Sequence, residues 1–112
     1  MKERRRYVRL KLESTMEYYN DRGQRMKVAP LVSVSGGGVC FLTKEPLEGK
    51  KNVKMSFVLP GDDSPIKATV EIVWVRDKDG MKGVYEVGAN FVALDHFDRE
   101  KIGDYVYNHL KA

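Results

Sequence analysis

An all-β domain of antiparallel strands, layered or closed into a barrel and followed by one C-terminal helix, is what this sequence predicts. Three observations carry that reading. Apolar and polar residues alternate with period two through most of the chain, clusters of Asn, Asp, Gly and Pro separate the alternating segments, and the apolar spacing becomes helical only near the C-terminus. A chain of 112 residues holds one domain whose core uses nearly every apolar side chain. The 42% hydrophobic and 32% charged fractions are those of a folded chain rather than a disordered one.

The first strand follows from Leu10, Leu12, Met16 and Tyr18 alternating with Arg9, Lys11, Glu13, Thr15 and Glu17, with Ser14 as the one interruption. Asn20-Asp21-Arg22-Gly23 is a turn by composition and closes a hairpin onto a second strand from about Met26 to Val34. Pro30 removes a ladder donor there and predicts an edge or a bulge. Val39 to Thr43 is a short buried strand, and the polar stretch from Thr43 to Asn52, with Pro46 and Gly49, is a loop. Val53, Met55, Phe57 and Leu59 form the apolar side of the next strand, which ends at Pro60-Gly61-Asp62-Asp63. Ile66 to Val75 alternates and then becomes apolar on both sides at Val73 and Val75, which predicts cover from the helix or from a partner chain. After the Asp77-Lys78-Asp79-Gly80 turn, Val84 to Leu94 returns with Tyr85, Val87, Ala89, Phe91 and Ala93 on one side. Ile102, Tyr105, Val106, His109 and Leu110 then fall at helical spacing, with Asp95 or Asp98 as N-cap, so the helix runs from about residue 97 to 110. Gly103 weakens it and marks a candidate close contact.

Charge is unevenly placed. The chain is +4 overall, yet residues 1 to 11 alone are +5 and the remainder is −1. A protein that coats a long nucleic acid spreads basic surface over a face or groove, whereas a small anion needs only a local cluster. Arg4, Arg5, Arg6 and Arg9 form that cluster, in a basic arm of residues 1–9 ahead of the barrel or sheet of residues 10–112. Arginine offers a planar fork of donors suited to phosphate and to purine edges and faces. A solvated tail is the plain alternative for such a run. No apolar run approaches the ~20 residues needed to cross a bilayer, and the basic N-terminus lacks the apolar segment of a signal peptide. A cytoplasmic location without membrane attachment is therefore expected. One cysteine, Cys40, excludes an internal disulfide and a Cys-rich metal site and is most simply a core residue.

Ser33-Val34-Ser35-Gly36-Gly37-Gly38 is the most unusual stretch of backbone. Three consecutive glycines permit left-handed conformations and let successive N–H groups form an anion nest; a tight connection with a bulge is the alternative. A nucleotidase phosphate loop is excluded, because no Gly-Lys-Ser/Thr follows and the next element is a strand.

The Arg-x-x-x-Arg pair of Arg5 and Arg9, followed by a segment in which Ser35 and Gly38 match Asp/Asn-x-Ser-x-x-Gly, resembles the signature of the PilZ domain, the bacterial receptor domain for cyclic di-GMP. Ser33 stands where that family has Asp or Asn. The resemblance implies a six-stranded antiparallel β-barrel of the PilZ-like, split-barrel type with a C-terminal helix, and a dinucleotide bound on the barrel's outside. It implies Arg5 and Arg9 as principal contacts, Arg6 extending them in the Arg-Arg-x-x-Arg form, and Ser33, Ser35 and Gly38 opposite. Charge adds Arg4, and backbone adds Gly36 and Gly37, as further candidates. The function implied is that of a cyclic di-GMP receptor that changes its surface to regulate an unidentified protein partner. A contact weakened at Ser33 is worth on the order of 1 to 3 kcal/mol if its partner is left buried and unpaired.

No catalytic constellation is visible, so an enzyme is not expected. His96 and His109 lack metal-ligand spacing, Ser33 and Ser35 lack a nucleophile elbow, and the turn aspartates are placed for backbone hydrogen bonds. No cofactor or metal is called for. Trp74 is read as a core residue, with a stacking platform as its alternative. Two other functions stay open: a PilZ-like interaction module that has lost the ligand, for which Ser33 speaks, and, with less support, a small barrel stacking single-stranded nucleic acid on Tyr7, Tyr18 and Tyr19. The terminal helix either caps the barrel or docks on a second protomer as a homodimer.

Overall fold

The computed structural model describes the backbone of residues 10–19, 25–44, 47 and 49–111. The basic arm and the Asn20–Gly23 turn lie outside the described residues. Six strands and one helix follow in order: β1 Leu10–Tyr19, β2 Arg25–Val34, β3 Gly38–Thr43, β4 Asn52–Phe57, β5 Ile66–Asp77, β6 Tyr85–Leu94 and α1 His96–Lys111. All neighbouring strands are antiparallel, and pairing of β1 with both β2 and β4 closes the ring β1-β2-β3-β6-β5-β4. Closure leaves no sheet edge at the ends of the order, the usual hazard of a small all-β chain. It also brings the start of β1 and the C-terminal ends of β2, β4 and β6 to the same end of the barrel.

The period-two alternation is what fills the interior. Met16 and Tyr18, Ala29 and Leu31, Val39 and Phe41, Met55 and Phe57, Ile66 through Ile72 at alternate positions, and Val87 and Ala89 are buried in one cluster. Burying each large aliphatic or aromatic side chain contributes about 1.5–3 kcal/mol. The Tyr18 hydroxyl, the polar tip of an otherwise apolar residue, lies 2.8 Å from Thr43 Oγ1 inside the barrel.

Each break in the alternation has a local cause. Ser14 sits in a β1 register shift and donates its hydroxyl to the Val58 carbonyl at 3.0 Å, tying β1 to the chain leaving β4. Pro30 is exposed and lies just beyond the β2–β3 pairing, which covers Leu31 to Val34 and is itself shifted beside Leu31. The proline thus has both the open flank and the neighbouring bulge expected of it. A second bulge, between Ile72 and Trp74, leaves Val73 half exposed while Val75 returns to the core. The same mechanism corrects the reading of β6: a shift between Phe91 and Ala93 turns Ala93 outward and packs Leu94 against the core.

Helix α1 starts at Asp95, whose Oδ1 accepts the Phe97 N–H at 2.8 Å, so Asp95 rather than Asp98 is the N-cap. Ile102 and Val106 enter the hydrophobic cluster, and the Lys101 ammonium meets Asp62 of the β4–β5 turn at 3.0 Å. The helix is therefore a cap on its own barrel. His109 is exposed, its Nδ1 2.8 Å from the Tyr105 carbonyl oxygen. Gly103 is exposed as well, and a Cβ added there meets nothing within 4 Å, so it marks no close contact. Gly103→Ala is expected to raise the free energy of unfolding by about 0.5–1 kcal/mol, read as a higher denaturant midpoint at unchanged slope, by sparing the helix the backbone entropy of glycine.

Candidate functional site

Strand register lines up one row across the outer wall. Lys11 on β1 pairs with Ser33 on β2, Ser33 with Cys40 on β3, Cys40 with Gly88 on β6, and Gly88 with Trp74 on β5. These positions alternate with the interior residues Val34, Val39, Phe41, Val87 and Ala89, the shift between Leu31 and Ser33 turning Ser33 away from the interior, so the row faces outward. Leu10, the first described residue after the basic arm, is opposite Val34. The start of β1 therefore lies beside the Ser33–Gly38 segment.

The turn after β2 is built around one side chain. Ser35 Oγ accepts the N–H of Gly37 at 3.1 Å and of Gly38 at 3.2 Å, while the Ser35 N–H donates to the Gly38 carbonyl at 2.9 Å. The Gly37 carbonyl accepts from Phe91 N on β6 at 2.9 Å, and the Gly36 carbonyl accepts from Arg99 Nη1 on α1 at 3.0 Å. This arrangement corrects the expectation of an anion nest at Gly37 and Gly38, because Ser35 already takes both amide protons. Left-handed φ angles among the described residues occur at Lys50, Gly61, Gly80 and Gly83, not in this turn. What requires glycine at 38 is close approach: a Cβ there would lie 2.0 Å from the carbonyl oxygen of Ala89. Ser33 and Ser35 are both buried, so the turn is packed against the barrel rather than loose.

At the other end of the row lies a cluster that sequence reasoning did not assemble. The Trp74 indole is only half buried and lies over Gly88, where a Cβ would come within 2.3 Å of Cε2. This corrects its assignment to the core. Above the indole sits the Arg76 guanidinium, with Cζ 4.6 Å from the ring centroid. Arg76 Nε donates to Glu86 Oε1 at 3.2 Å, the Nη2 of the same guanidinium forms an ion pair with that oxygen at 3.2 Å, and Cys40 Sγ donates to Glu86 Oε2 at 3.4 Å. Cys40 is buried, but on the outer face and not in the main cluster. Burial raises the Glu86 pKa; the hydrogen bonds from Cys40 and Arg76, with the charges of Arg76 and Lys78, outweigh it and leave the carboxyl below its ordinary value. No local pattern in the sequence signals it, because the pairing of outward Trp74 with Gly88 is disclosed only by the register.

Ser33, Ser35, Gly36, Gly37 and Gly38 are thus brought together at one end of the barrel. Arg4, Arg5, Arg6 and Arg9 lie outside the described residues. A separate cleft of about 620 Å³, lined by Tyr19, Lys54, Lys67, Thr69 and Asp95 among others, crosses β1, β4, β5 and the end of β6 and includes none of the motif residues. Among the described residues no group of three or more His, Cys, Asp or Glu is placed to hold a metal ion, and no helix is long and apolar enough to cross a membrane.

The model of the PilZ domain matches residues 3–108, which is nearly the whole chain and includes the end of the arm and the Ser33–Gly38 turn. The chain belongs to the PilZ domain family. No curated protein matches it. Among solved structures it is similar to the Bacillus subtilis inhibitor of motility MotI/DgrA, with a TM-score of 0.79 at 15% identity over 97% of this chain and 53% of that one. It is also similar to the K. pneumonia MrkH–c-di-GMP complex, with 0.75 at 20% identity over 96% and 53%. The PilZ domain of Escherichia coli YcgR with c-di-GMP aligns with 0.70 at 15% identity over 89% and 86%. The chain spans about half the length of MotI and MrkH and most of the isolated YcgR domain. These likenesses establish the six-stranded PilZ barrel with its terminal helix.

Two outcomes follow from the geometry. Gly38→Ala is expected to destabilise the domain by about 2 kcal/mol or more, measured by denaturant unfolding, because the obstacle is backbone of a central strand. Glu86, with its folded-state pKa lowered, contributes stability that is complete above its ordinary 4.5 and is lost as pH falls through the folded value. The stability difference between wild type and Glu86→Gln should accordingly hold steady near neutral pH and shrink below 4.5.

Proposed function

We propose that this chain is a cyclic di-GMP receptor domain in which the basic arm closes over a dinucleotide held against the outer row of β2, β3, β6 and β5. The observation that carries this reading is the pairing of Leu10 with Val34 and of Lys11 with Ser33, which sets the first residues after the arm beside the serine–glycine turn. In this reading Arg5 and Arg9, with Arg6 and Arg4 beside them, meet the phosphates and a guanine edge. Ser33 and Ser35 with the Gly36–Gly38 backbone form the floor, and the Trp74–Arg76 cluster bounds the far side. Residues 1 to 11 carry +5, so two phosphates relieve repulsion that the free arm retains. Ordering the arm changes the surface that a protein partner meets. The Arg99 bond to the Gly36 carbonyl gives the turn a direct link to α1 and so a route by which occupancy reaches the C-terminal surface.

Membership of the PilZ family and the c-di-GMP complexes of MrkH and the YcgR domain support this ligand. We read the chain as a binding module rather than an enzyme, working in the cytoplasm on a protein partner. A second reading, an interaction module without ligand, is favoured by Ser33 alone, since its hydroxyl only partly reproduces what a carboxylate or amide offers guanine.

Calorimetric titration with cyclic di-GMP separates the readings. Wild type is expected to bind, Arg5→Ala and Arg9→Ala to bind at least about tenfold more weakly, and Ser33→Asp more tightly. A wild type that gives no heat at tens of micromolar ligand contradicts the receptor reading; Ser33→Asp with unchanged or weaker affinity places residue 33 away from guanine. The log–log salt slope should be about −1 to −2 for two phosphates, against about −4 for a single strand contacted at six.

A further inference from the structure

We infer that Arg76, rather than the Trp74 indole, is the surface on which a purine of the bound dinucleotide stacks, and that Glu86 is the positioning residue that holds Arg76 flat. This assignment rests on the receptor reading above and deepens it. The indole is covered on two counts: a Cβ added at Gly88 would lie 2.3, 2.5 and 2.6 Å from Cε2, Nε1 and Cζ2, and the Arg76 guanidinium lies over the ring with Cζ 4.6 Å from the centroid. Arg76 Nε donates to Glu86 Oε1 and Nη2 lies 3.2 Å from the same oxygen, so one carboxylate holds the guanidinium in place from one edge. Cys40 holds the second oxygen of Glu86, so the anchor is itself anchored to β3.

Exposure separates the two roles. The Arg76 side chain is 66% exposed and the Glu86 side chain 16%, so the guanidinium is the accessible layer and the carboxylate its support. The exposed guanidinium over the half-buried indole is then the layer that meets the base. A guanidinium is planar and weakly hydrated, which suits stacking on one side of an aromatic ring and under another. Trp74 lies on the same row as Ser33, three inter-strand steps or roughly 14 Å away, so one wall serves both the turn and the stack.

The test is calorimetric titration of cyclic di-GMP into wild type, Arg76→Ala, Arg76→Lys and Glu86→Gln, with thermal unfolding of each unliganded protein. Arg76→Ala is expected to weaken binding about tenfold while its unfolding midpoint stays near that of wild type. Arg76→Lys should weaken it nearly as much, because an ammonium keeps the charge but not the plane, and Glu86→Gln should weaken it by a few-fold. Arg76→Ala binding as tightly as wild type, or more tightly, overturns the assignment, since the guanidinium would then be idle or in the way. Arg76→Lys equal to wild type also overturns it, since charge alone would suffice. Wild type that does not bind cyclic di-GMP sinks the receptor reading and this assignment with it, whereas a wild type that binds beside an unaffected Arg76→Ala sinks only the assignment.

Discussion

One row of strand pairings, Lys11–Ser33–Cys40–Gly88–Trp74, decides what the outer wall of this barrel can do. A slip of one residue in any of those ladders would exchange inner and outer faces. Ser33 would then turn into the barrel and Phe41 or Val87 would face solvent. The buried partners Leu31, Phe41 and Val87 hold that register, and each loses its place in the core if it moves. The hydrophobic interior is thus the device that aims the polar wall. Residues separated by up to 63 positions in sequence, from Lys11 to Trp74, share one line because of it.

The turn that closes the row is held just as firmly. Ser35 satisfies two amide protons from within, Phe91 and Arg99 take the neighbouring carbonyls, and Gly38 lets β3 pass the Ala89 carbonyl without a side chain between them. Rigidity of this kind favours recognition, since a preformed floor loses little entropy when a ligand arrives. Gly38 therefore serves backbone proximity, and the Gly37 and Gly38 amides are spent within the turn rather than offered to an anion.

Much of the fold was legible because alternation is a direct record of which face a residue shows. Met16 and Tyr18, the Ile66–Ile72 series and the Ile102–Val106 pair all pack where their spacing placed them. The bulges between β5 and β6 were not legible, unlike the one Pro30 announced: nothing in Val73-Trp74-Val75 says which residue is skipped, since all three are apolar and the ladder with β6 makes the choice. The serine–glycine turn could be singled out by composition, but not the way Ser35 binds its own amides. Trp74 was misread for the same reason as the bulge, and its cluster with Arg76, Glu86 and Cys40 joins three strands that no local pattern connects.

The most direct test of a ligand seated on this wall is amide chemical-shift mapping as cyclic di-GMP is added to isotopically labelled protein. The account predicts that the largest changes fall on the arm, on Ser33 through Gly38, on Cys40 and Gly88, and on the Trp74 indole N–H. Changes confined to the cleft around Tyr19, Lys54 and Lys67, or an unaltered spectrum at saturating ligand, would contradict it.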